Sequence, residues 1–115
     1  MKQNIRVGDL SEQMRILSEL SPALMGVTDG EGRYQWINRA GTEKLGYSIV
    51  NLSTISYTAL IHPDDRSKAV APLGSEDPRT AELRHSRKDG SYVWLDWSIL
   101  ASEESGEHYT VGYDI

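Results

Sequence analysis

The strongest structural signal in the sequence lies at residues 82–97, which read ELRHSRKDGSYVWLDW. Two runs rich in β-forming residues flank Asp89-Gly90, and an Asp-Gly pair in that setting is typical of the turn of a β-hairpin. The second run alternates between two kinds of side chain, so it predicts a strand with two different faces. The face expected to meet the core is wholly apolar and carries Val93, Leu95, Trp97, Ile99 and Ala101. The opposite face is expected to be half-covered and carries Tyr92, Trp94, Asp96, Ser98 and Leu100.

Length and composition exclude several classes of protein. The chain has 115 residues, close to the commonest size of a single domain. It contains no cysteine, which excludes disulfides, thiolate metal sites and any flavin or chromophore linked through cysteine. The formal net charge of −5 argues against a nucleic-acid partner, which needs a basic surface. Because there is neither a long apolar run nor an apolar signal core, we expect a cytoplasmic domain without direct membrane contact.

The N-terminal region predicts a tail and one amphipathic helix. Residues 1–8 are polar and lack a period, so we expect a flexible tail. A helix is predicted over 9–21, because the residue before Pro22 is pushed out of the α region. Its apolar residues recur at helical spacing and need a surface to cover. They are Leu10, Met14, Leu17 and Leu20.

Residues 23–115 predict the core of a single α+β domain. A hairpin is expected over 23–37, and Asn38 stands where it can cap a short helix that ends at Gly46. Further short helical segments follow, and then three strands that include the hairpin described above. Consecutive strands with segregated helices indicate a five-stranded antiparallel sheet, with short helices on one face and an N-terminal capping helix.

This order of elements resembles the PAS family, a sensor module found in many bacterial signalling proteins. The resemblance runs from the first helix to the last residue and includes the C-terminal hairpin known as the PAC motif. One departure concerns the helix that starts at His62-Pro63, because Pro72 and Gly74 cut it short of the family's usual length. The motifs that carry the resemblance are Asn38-Arg39-Ala40 with Leu45-Gly46-Tyr47, Ile61 to Arg66, Glu82-Leu83-Arg84 with Arg87 to Ser91 and Trp94, and Gly112-Tyr113-Asp114-Ile115.

The resemblance implies a sensory or regulatory domain of a multidomain signal-transduction protein. Its effector domain would lie in the same polypeptide, for example in a histidine kinase of a two-component system or a cyclic-nucleotide-signalling enzyme. A small molecule or partner would shift the packing of helices on the sheet, and the change would leave through Asp114 and Ile115. The alternative is a ligand-free module for dimerisation or protein interaction. Catalysis by the domain itself is not expected, because no motif assembles the groups of an active site.

Any ligand cavity would lie between the helices and the inner face of the sheet. His85 shares the inward face with Leu83, which makes it either a hydrogen-bonded core histidine or a group that ligates haem iron or titrates near neutral pH. No motif indicates a noncovalent haem or flavin, although neither is excluded. A structural role for His62 at the start of a helix is favoured over a role as a metal ligand. His108 is expected to be exposed. The candidate lining residues are Leu45, Ile55, Leu60, Leu83, His85, Leu95 and Trp97.

The half-covered sheet face needs a partner surface. Tyr92, Trp94 and Leu100 form an apolar patch there, and such a patch is typical of an interface. The N-terminal helix, with its stripe from Leu10 to Leu20, is predicted to dock on this patch, either in its own chain or in a second copy. A homodimer and purely intrachain packing both remain open.

Overall fold

The chain begins with a helix and a hairpin, continues through short helical segments and ends with three strands. The computed structural model describes residues 7–70 and 77–115, with the side chains of residues 7–11 left out. Helix α1 is Val7–Leu20, and the first hairpin consists of β1, Leu24–Thr28, and β2, Tyr34–Ile37. The helical segments are α2 (Arg39–Leu45), α3 (Ile49–Leu52), α4 (Tyr57–Leu60) and a 3₁₀ helix (Pro63–Lys68). The last strands are β3 (Arg79–Ser86), β4 (Tyr92–Ala101) and β5 (His108–Asp114).

The five strands form one antiparallel sheet in the order β2-β1-β5-β4-β3. In the C-terminal hairpin, Leu83 lies opposite Leu95. Strand β5 joins the two hairpins, because its Gly112 pairs with Leu24 on one side and Trp97 on the other. The structure therefore confirms the predicted α+β fold with a five-stranded antiparallel sheet.

The core lies between the inner face of the sheet and the short helices. The apolar face predicted for β4 is buried along its whole length, from Val93 to Ala101. Facing it are fully buried side chains from the helices, including Leu45 of α2, Leu52 of α3 and Tyr57 of α4. The helices therefore form one wall of the interior, and the sheet forms the other.

Asn38 caps α2 as predicted and also ties three elements together. Its Oδ1 accepts from the backbone N–H of Gly41 at 3.0 Å and of Met25 at 2.9 Å. Its Nδ2 donates to the carbonyls of Ser18 at 2.7 Å and Ala23 at 2.9 Å. A fully buried amide with both ends satisfied is favourable. This side chain fixes the end of α1 against β1 and the start of α2.

The end of α2 and the start of α3 also follow the sequence signals. Gly46 adopts a φ of 76°, the left-handed conformation that glycine accepts without strain, and its N–H donates to the carbonyl of Thr42. Ser48 caps α3, because its side chain accepts from the N–H of Asn51 at 3.2 Å. The side chain of Asn51 accepts in return from the N–H of Ser48, which completes a capping box.

Several boundaries differ from the sequence expectations. Helix α1 begins at Val7, two residues before the predicted start, so part of the expected tail is helical. Strand β3 begins at Arg79, three residues before the stretch that predicted the hairpin, because Arg79 pairs with Ile99 of the neighbouring strand. The segment after His62 forms a 3₁₀ helix of six residues instead of an α-helix. Its predicted closure at Pro72 and Gly74 lies outside the described residues.

Candidate functional site

His85 is a buried histidine with one unused ring nitrogen. The side chain is 0 % exposed, and its Nδ1 lies 2.8 Å from the carbonyl oxygen of Ser86. A carbonyl only accepts hydrogen bonds, so Nδ1 carries the proton and Nε2 is left as an acceptor. Burial lowers the pKa of His85 to about 4, although the bond to Ser86 acts in the opposite direction. The ring is therefore neutral near pH 7.

Among the residues that the structure describes, two other buried polar atoms near the inner face have no hydrogen-bond partner: the Nε1 of Trp97 and the hydroxyl of Tyr34. Their side chains are linked to His85 through a series of ring contacts. The ring centroids of His85 and Trp97 are 6.1 Å apart, and Tyr57 lies 5.8 Å from Trp97 and 6.4 Å from Tyr34. An unpartnered buried donor or acceptor costs about 1–3 kcal/mol, so these atoms need an explanation beyond packing.

The predicted cavity residues are buried with one exception. Ile55 was expected to be buried but is 40 % exposed, because it lies in the turn between α3 and α4, whose inward residues are Leu52 and Tyr57. The other six surround the interior: Leu45, Leu60, Leu83, His85, Leu95 and Trp97. Whether they hold a ligand stays a prediction.

A buried carboxylate that no sequence pattern indicated holds the helical wall against β3. The side chain of Asp65 is 2 % exposed. Its Oδ2 accepts from the backbone N–H of Arg84 at 2.9 Å and from Nε of the same residue at 2.8 Å. Oδ1 accepts from Nη2 of Arg84 at 3.0 Å, and Nζ of Lys68 lies 3.4 Å from the same oxygen. These cations and hydrogen bonds hold the pKa of the Asp65 carboxyl well below its usual range.

The Asp65 contact positions a stretch of chain directly beside His85. The N–H of His62 donates to the carbonyl of Arg84 at 2.8 Å, and Ile61 forms an antiparallel bridge with His85. Residues 61–65 therefore run along the free edge of β3. This stretch covers both the edge strand and the interior behind it.

The structural role predicted for His62 is confirmed. Its Nδ1 accepts from the backbone N–H of Asp64 at 3.1 Å and caps the 3₁₀ helix. Over residues 7–70 and 77–115, no group of three His, Asp or Glu residues is arranged to hold a metal ion.

His108 is less exposed than predicted. It is partly covered by Tyr57, whose ring centroid lies 6.2 Å away. The Tyr57 hydroxyl is 3.5 Å from Nδ1 of His108 and donates to the carbonyl of Ala69 at 3.1 Å. Desolvation lowers the pKa of His108 below its ordinary value.

Helix α1 does not cover Tyr92 and Trp94 of its own chain, so the intrachain alternative for its docking is wrong, and docking on a second copy stays a prediction. It faces β1, β2 and β5 across a groove of about 640 Å³, where Met14 and Ser18 oppose Trp36 and other apolar residues. Much of its apolar stripe is open: Met14 is 57 %, Leu17 60 % and Leu20 76 % exposed. The side chain of Leu10 lies outside the described residues.

The other side chains of the predicted interface contact single side chains nearby in the same chain. Trp94 is 47 % exposed and lies under the guanidinium of Arg84, at 4.9 Å. Tyr92 contacts the ring of His62 at 5.0 Å between centroids, and Leu100 is half-buried. The patch is therefore only partly covered within the chain, and its role as an interface stays a prediction.

The end of β5 is tied to the helical wall. Nζ of Lys44, in the last turn of α2, lies 2.8 Å from Oδ1 of Asp114. The pair borders a surface groove of about 570 Å³ between α2 and the turn of the C-terminal hairpin. The backbone N–H of Ile115 donates to the carbonyl of Trp94 at 3.3 Å. Both predicted output residues are thus anchored to the body of the domain.

Comparisons with known proteins identify the family. The family model described as PAS fold matches residues 35–113. The chain therefore belongs to the PAS-fold family, as the sequence motifs suggested. A comparison with curated protein sequences gives no match.

Solved structures share the fold across the whole domain. A PAS domain of an HTR-like protein from Haloarcula marismortui aligns with a TM-score of 0.77 at 22% identity, covering 96% of this chain and 95% of that one. A domain of a sensor histidine kinase/response regulator from Geobacter sulfurreducens gives 0.77 at 20% identity, with coverages of 95% and 97%. An RNA-binding Light-Oxygen-Voltage receptor gives 0.74 at 16% identity, covering 99% of this chain and 35% of that one. At these identities the likeness is one of fold.

Of the helices within residues 7–70 and 77–115, none is both long and apolar enough to cross a bilayer.

Proposed function

We propose that this chain is the sensory domain of a multidomain signal-transduction protein. It senses a small molecule in its interior, or a partner, and relays the change through the end of β5. The domain itself is not catalytic. The family and the fold shared with a domain of a sensor histidine kinase support this reading. By the same resemblance, the parent protein is a histidine kinase or a cyclic-nucleotide-signalling enzyme.

The observation that carries the relay is the ion pair between Lys44 and Asp114. Helix α2 supplies Leu45 to the interior and Lys44 to the end of β5, so one short helix contacts both the candidate ligand space and the output residue. A two-state shift in the packing of α2 would therefore move or release Asp114. Such a link meets the requirement that the two sites bias one shared element.

Amide hydrogen exchange at Ile115 tests this relay without a known ligand. Leu45→Ala loosens α2 from the interior and is expected to raise the exchange rate of Ile115 about tenfold. Leu52→Ala makes a similar cavity in α3, which has no ion pair to β5, and is expected to leave Ile115 nearly unchanged. In a Lys44→Ala background the effect of Leu45→Ala should disappear, because the two changes act through one contact. If Leu45→Ala and Leu52→Ala raised the exchange rate of Ile115 equally, the proposed path through α2 would be contradicted.

A second function, homodimerisation, is favoured by the exposed stripe of α1. Met14, Leu17 and Leu20 lie open on the helix, and the outer sheet face of the same chain keeps an aromatic patch around Trp94. Two copies could cover both surfaces if α1 of each packed on the sheet of the other. This module would act without a ligand, through its interface alone.

Light scattering on the purified domain tests the dimer. The expected molar mass is twice 12.9 kDa for the wild type and 12.9 kDa for both Leu17→Glu and Trp94→Glu. Gln13→Glu is the matched control, since it adds the same charge at an exposed position of α1. A wild-type monomer at high concentration, or a Trp94→Glu variant that still dimerises, would refute this interface.

A further inference from the structure

The free edge of β3 is covered at its C-terminal half and open at its N-terminal half. In the covered half, the carbonyl of Arg84 accepts from the N–H of His62, and the N–H of Arg84 donates to Asp65. The N–H and C=O of one strand residue point to one edge, and those of the next residue point to the other. The register of β3 with β4 is regular, so the backbone groups of Thr80 and Glu82 face the same edge as those of Arg84.

The outward backbone groups of Thr80 and Glu82 have no protein partner. Both residues are exposed, and no hydrogen bond within the described part of the chain engages their backbone on the side away from β4. Two N–H groups and two carbonyls therefore stand in a row, which is a template for an added strand. The protein already uses the adjoining edge in this way, because Ile61 forms an antiparallel bridge with His85. Residues 79–82 are the part of this edge that a further segment can reach.

The outer face beside this open edge is acidic. Glu82 and Asp96 lie directly opposite each other on β3 and β4, and both side chains are exposed. Because the backbone groups of Glu82 point to the free edge, the two residues form a non-hydrogen-bonded pair, in which side chains come closest and like charges destabilise. No ion pair formed by the described residues involves either carboxylate, and Arg84, on the same face of β3, is already bound by Asp65. A positive charge brought onto this face would relieve the repulsion.

The opposite face of the same stretch has a different preference. Arg79 belongs to that face, because it lies opposite Ile99, whose side chain is in the core. Ala81 shares the face and is half-buried, whereas Arg79 is exposed. A basic residue placed there would be repelled by Arg79, and an uncharged one would extend the cover of Ala81. An added strand should therefore carry its basic residue on the outer face and uncharged residues on the other.

We propose that the open edge of β3 binds an extended basic segment of a partner protein, which adds to the sheet with a Lys or Arg side chain beside Glu82. The backbone of this segment pairs with the outward groups of Thr80 and Glu82. Neighbouring strands lie about 4.8 Å apart, so the basic side chain extends across β3 toward Asp96. A second copy would bring the same carboxylates and a formal net charge of −5, which disfavours it as the occupant. Binding at this edge requires neither a ligand in the interior nor the dimer through α1.

Two acetylated and amidated peptides test this edge, Thr-Val-Lys-Val-Thr and Thr-Val-Glu-Val-Thr, which differ only in the charge of the central residue. Nuclear magnetic resonance follows the backbone amides of the ¹⁵N-labelled domain as each peptide is added. The Lys peptide should shift the amides of Thr80 and Glu82 saturably and bind about ten times more tightly than the Glu peptide. Raising the salt from about 0.01 M to about 1 M, which shortens the Debye length from about 30 Å to about 3 Å, should remove most of this preference. Equal affinities at low salt, or no saturable shift at these two amides, would overturn the proposal.

Two variants separate the contribution of the backbone from that of the charge. Thr80→Pro removes an N–H that points away from β4, so the midpoint of thermal unfolding should stay near that of wild type, while the Lys peptide binds about tenfold more weakly. Glu82→Lys should reverse the preference, so that the Glu peptide binds more tightly. Glu31→Lys is the matched control, since it makes the same change in the exposed turn of the first hairpin, and it should keep the wild-type preference. Full affinity in Thr80→Pro, or an unchanged preference in Glu82→Lys, would overturn the proposal.

A dilution series of the domain without peptide tests a second copy as the occupant. If the amide signals of Thr80 and Glu82 do not depend on the concentration of the domain, and the Lys peptide shifts them, the edge binds a segment of another protein. If these signals move as the domain is concentrated and the Lys peptide does not displace the self-association, the edge pairs with a second copy and the proposal falls. Neither result affects the relay tested by amide exchange at Ile115.

Discussion

The contact between Asp65 and Arg84 yields the sharpest quantitative prediction. Asp65→Asn keeps the shape of the side chain but removes its charge and turns one acceptor oxygen into a donor that faces Nη2 of Arg84. Three hydrogen bonds to a carboxylate, at 2.8 to 3.0 Å, are thus reduced to one or two that are accepted by a neutral amide oxygen. Hydrogen bonds to charged groups contribute about 1.5–3 kcal/mol each, but Arg84 is partly exposed and solvent screens its charge. We expect a loss of about 2–3 kcal/mol in the free energy of unfolding.

Urea unfolding at pH 7 and pH 3, followed by tryptophan fluorescence, measures this effect and its origin. The carboxyl pKa is lowered in the folded state from an unfolded value near 3.9, so its stabilising contribution is complete above that value and fades as the pH falls below it. The difference between wild type and Asp65→Asn should therefore narrow by about 1 kcal/mol from pH 7 to pH 3. In thermal unfolding at pH 7, the midpoint of the variant should fall by about 10 °C.

The matched control is Asp96→Asn, an identical change at an exposed position on the outer face of β4. Its free energy of unfolding should stay within about 0.5 kcal/mol of wild type. Two results would refute the reasoning. One is a stability of Asp65→Asn equal to that of Asp96→Asn. The other is a loss of unfolding free energy in Asp65→Asn that is the same at pH 3 as at pH 7. That result would mean that the charge of Asp65 does not stabilise the contact between the 3₁₀ helix and β3.

Two further substitutions test the core by urea unfolding. Asn38→Ala removes a side chain that makes four hydrogen bonds and leaves buried backbone groups unpaired, so it should cost about 2–4 kcal/mol. A loss below about 1 kcal/mol would mean that Asn38 does not join α1, β1 and α2. Gly26→Ala places a methyl group against the ring of Tyr34 and should destabilise by about 1–3 kcal/mol. Gly30→Ala, in the exposed turn, is its control, and equal effects of the two changes would contradict the close approach of Tyr34 to β1.

Local signals in the sequence were enough to predict much of the fold. The alternation in β4 identified its buried face because side chains on a strand point to opposite sides in turn. Asn38 and Gly46 marked the two ends of α2 because helix ends need a side-chain cap and a left-handed residue. The same alternation placed His85 on the inward face. That its Nε2 lacks a partner could not be predicted, because this depends on the hydrogen bond between Nδ1 and the carbonyl of Ser86.

The features that were missed depend on contacts between distant parts of the chain. Asp65 and Arg84 are 19 residues apart, and no periodic pattern reports that the 3₁₀ helix runs beside β3. Ile55 has an apolar side chain, but the turn that contains it points it outward. Docking of α1 on the patch of its own chain, one of the two alternatives, was also wrong, since a helical stripe indicates that a surface is needed and not which surface it meets. In each case the sequence indicated the chemical character of the residue, but it did not indicate which residue it contacts.

Native mass spectrometry of the freshly purified domain tests the central claim most directly, because it weighs the domain together with whatever it holds. If the interior is a sensory site, the spectrum should contain the chain of 12.9 kDa with one discrete added mass that disappears on denaturation. A bare chain, monomeric or dimeric, that acquires no added mass after incubation with a small-molecule extract of cells would contradict the claim.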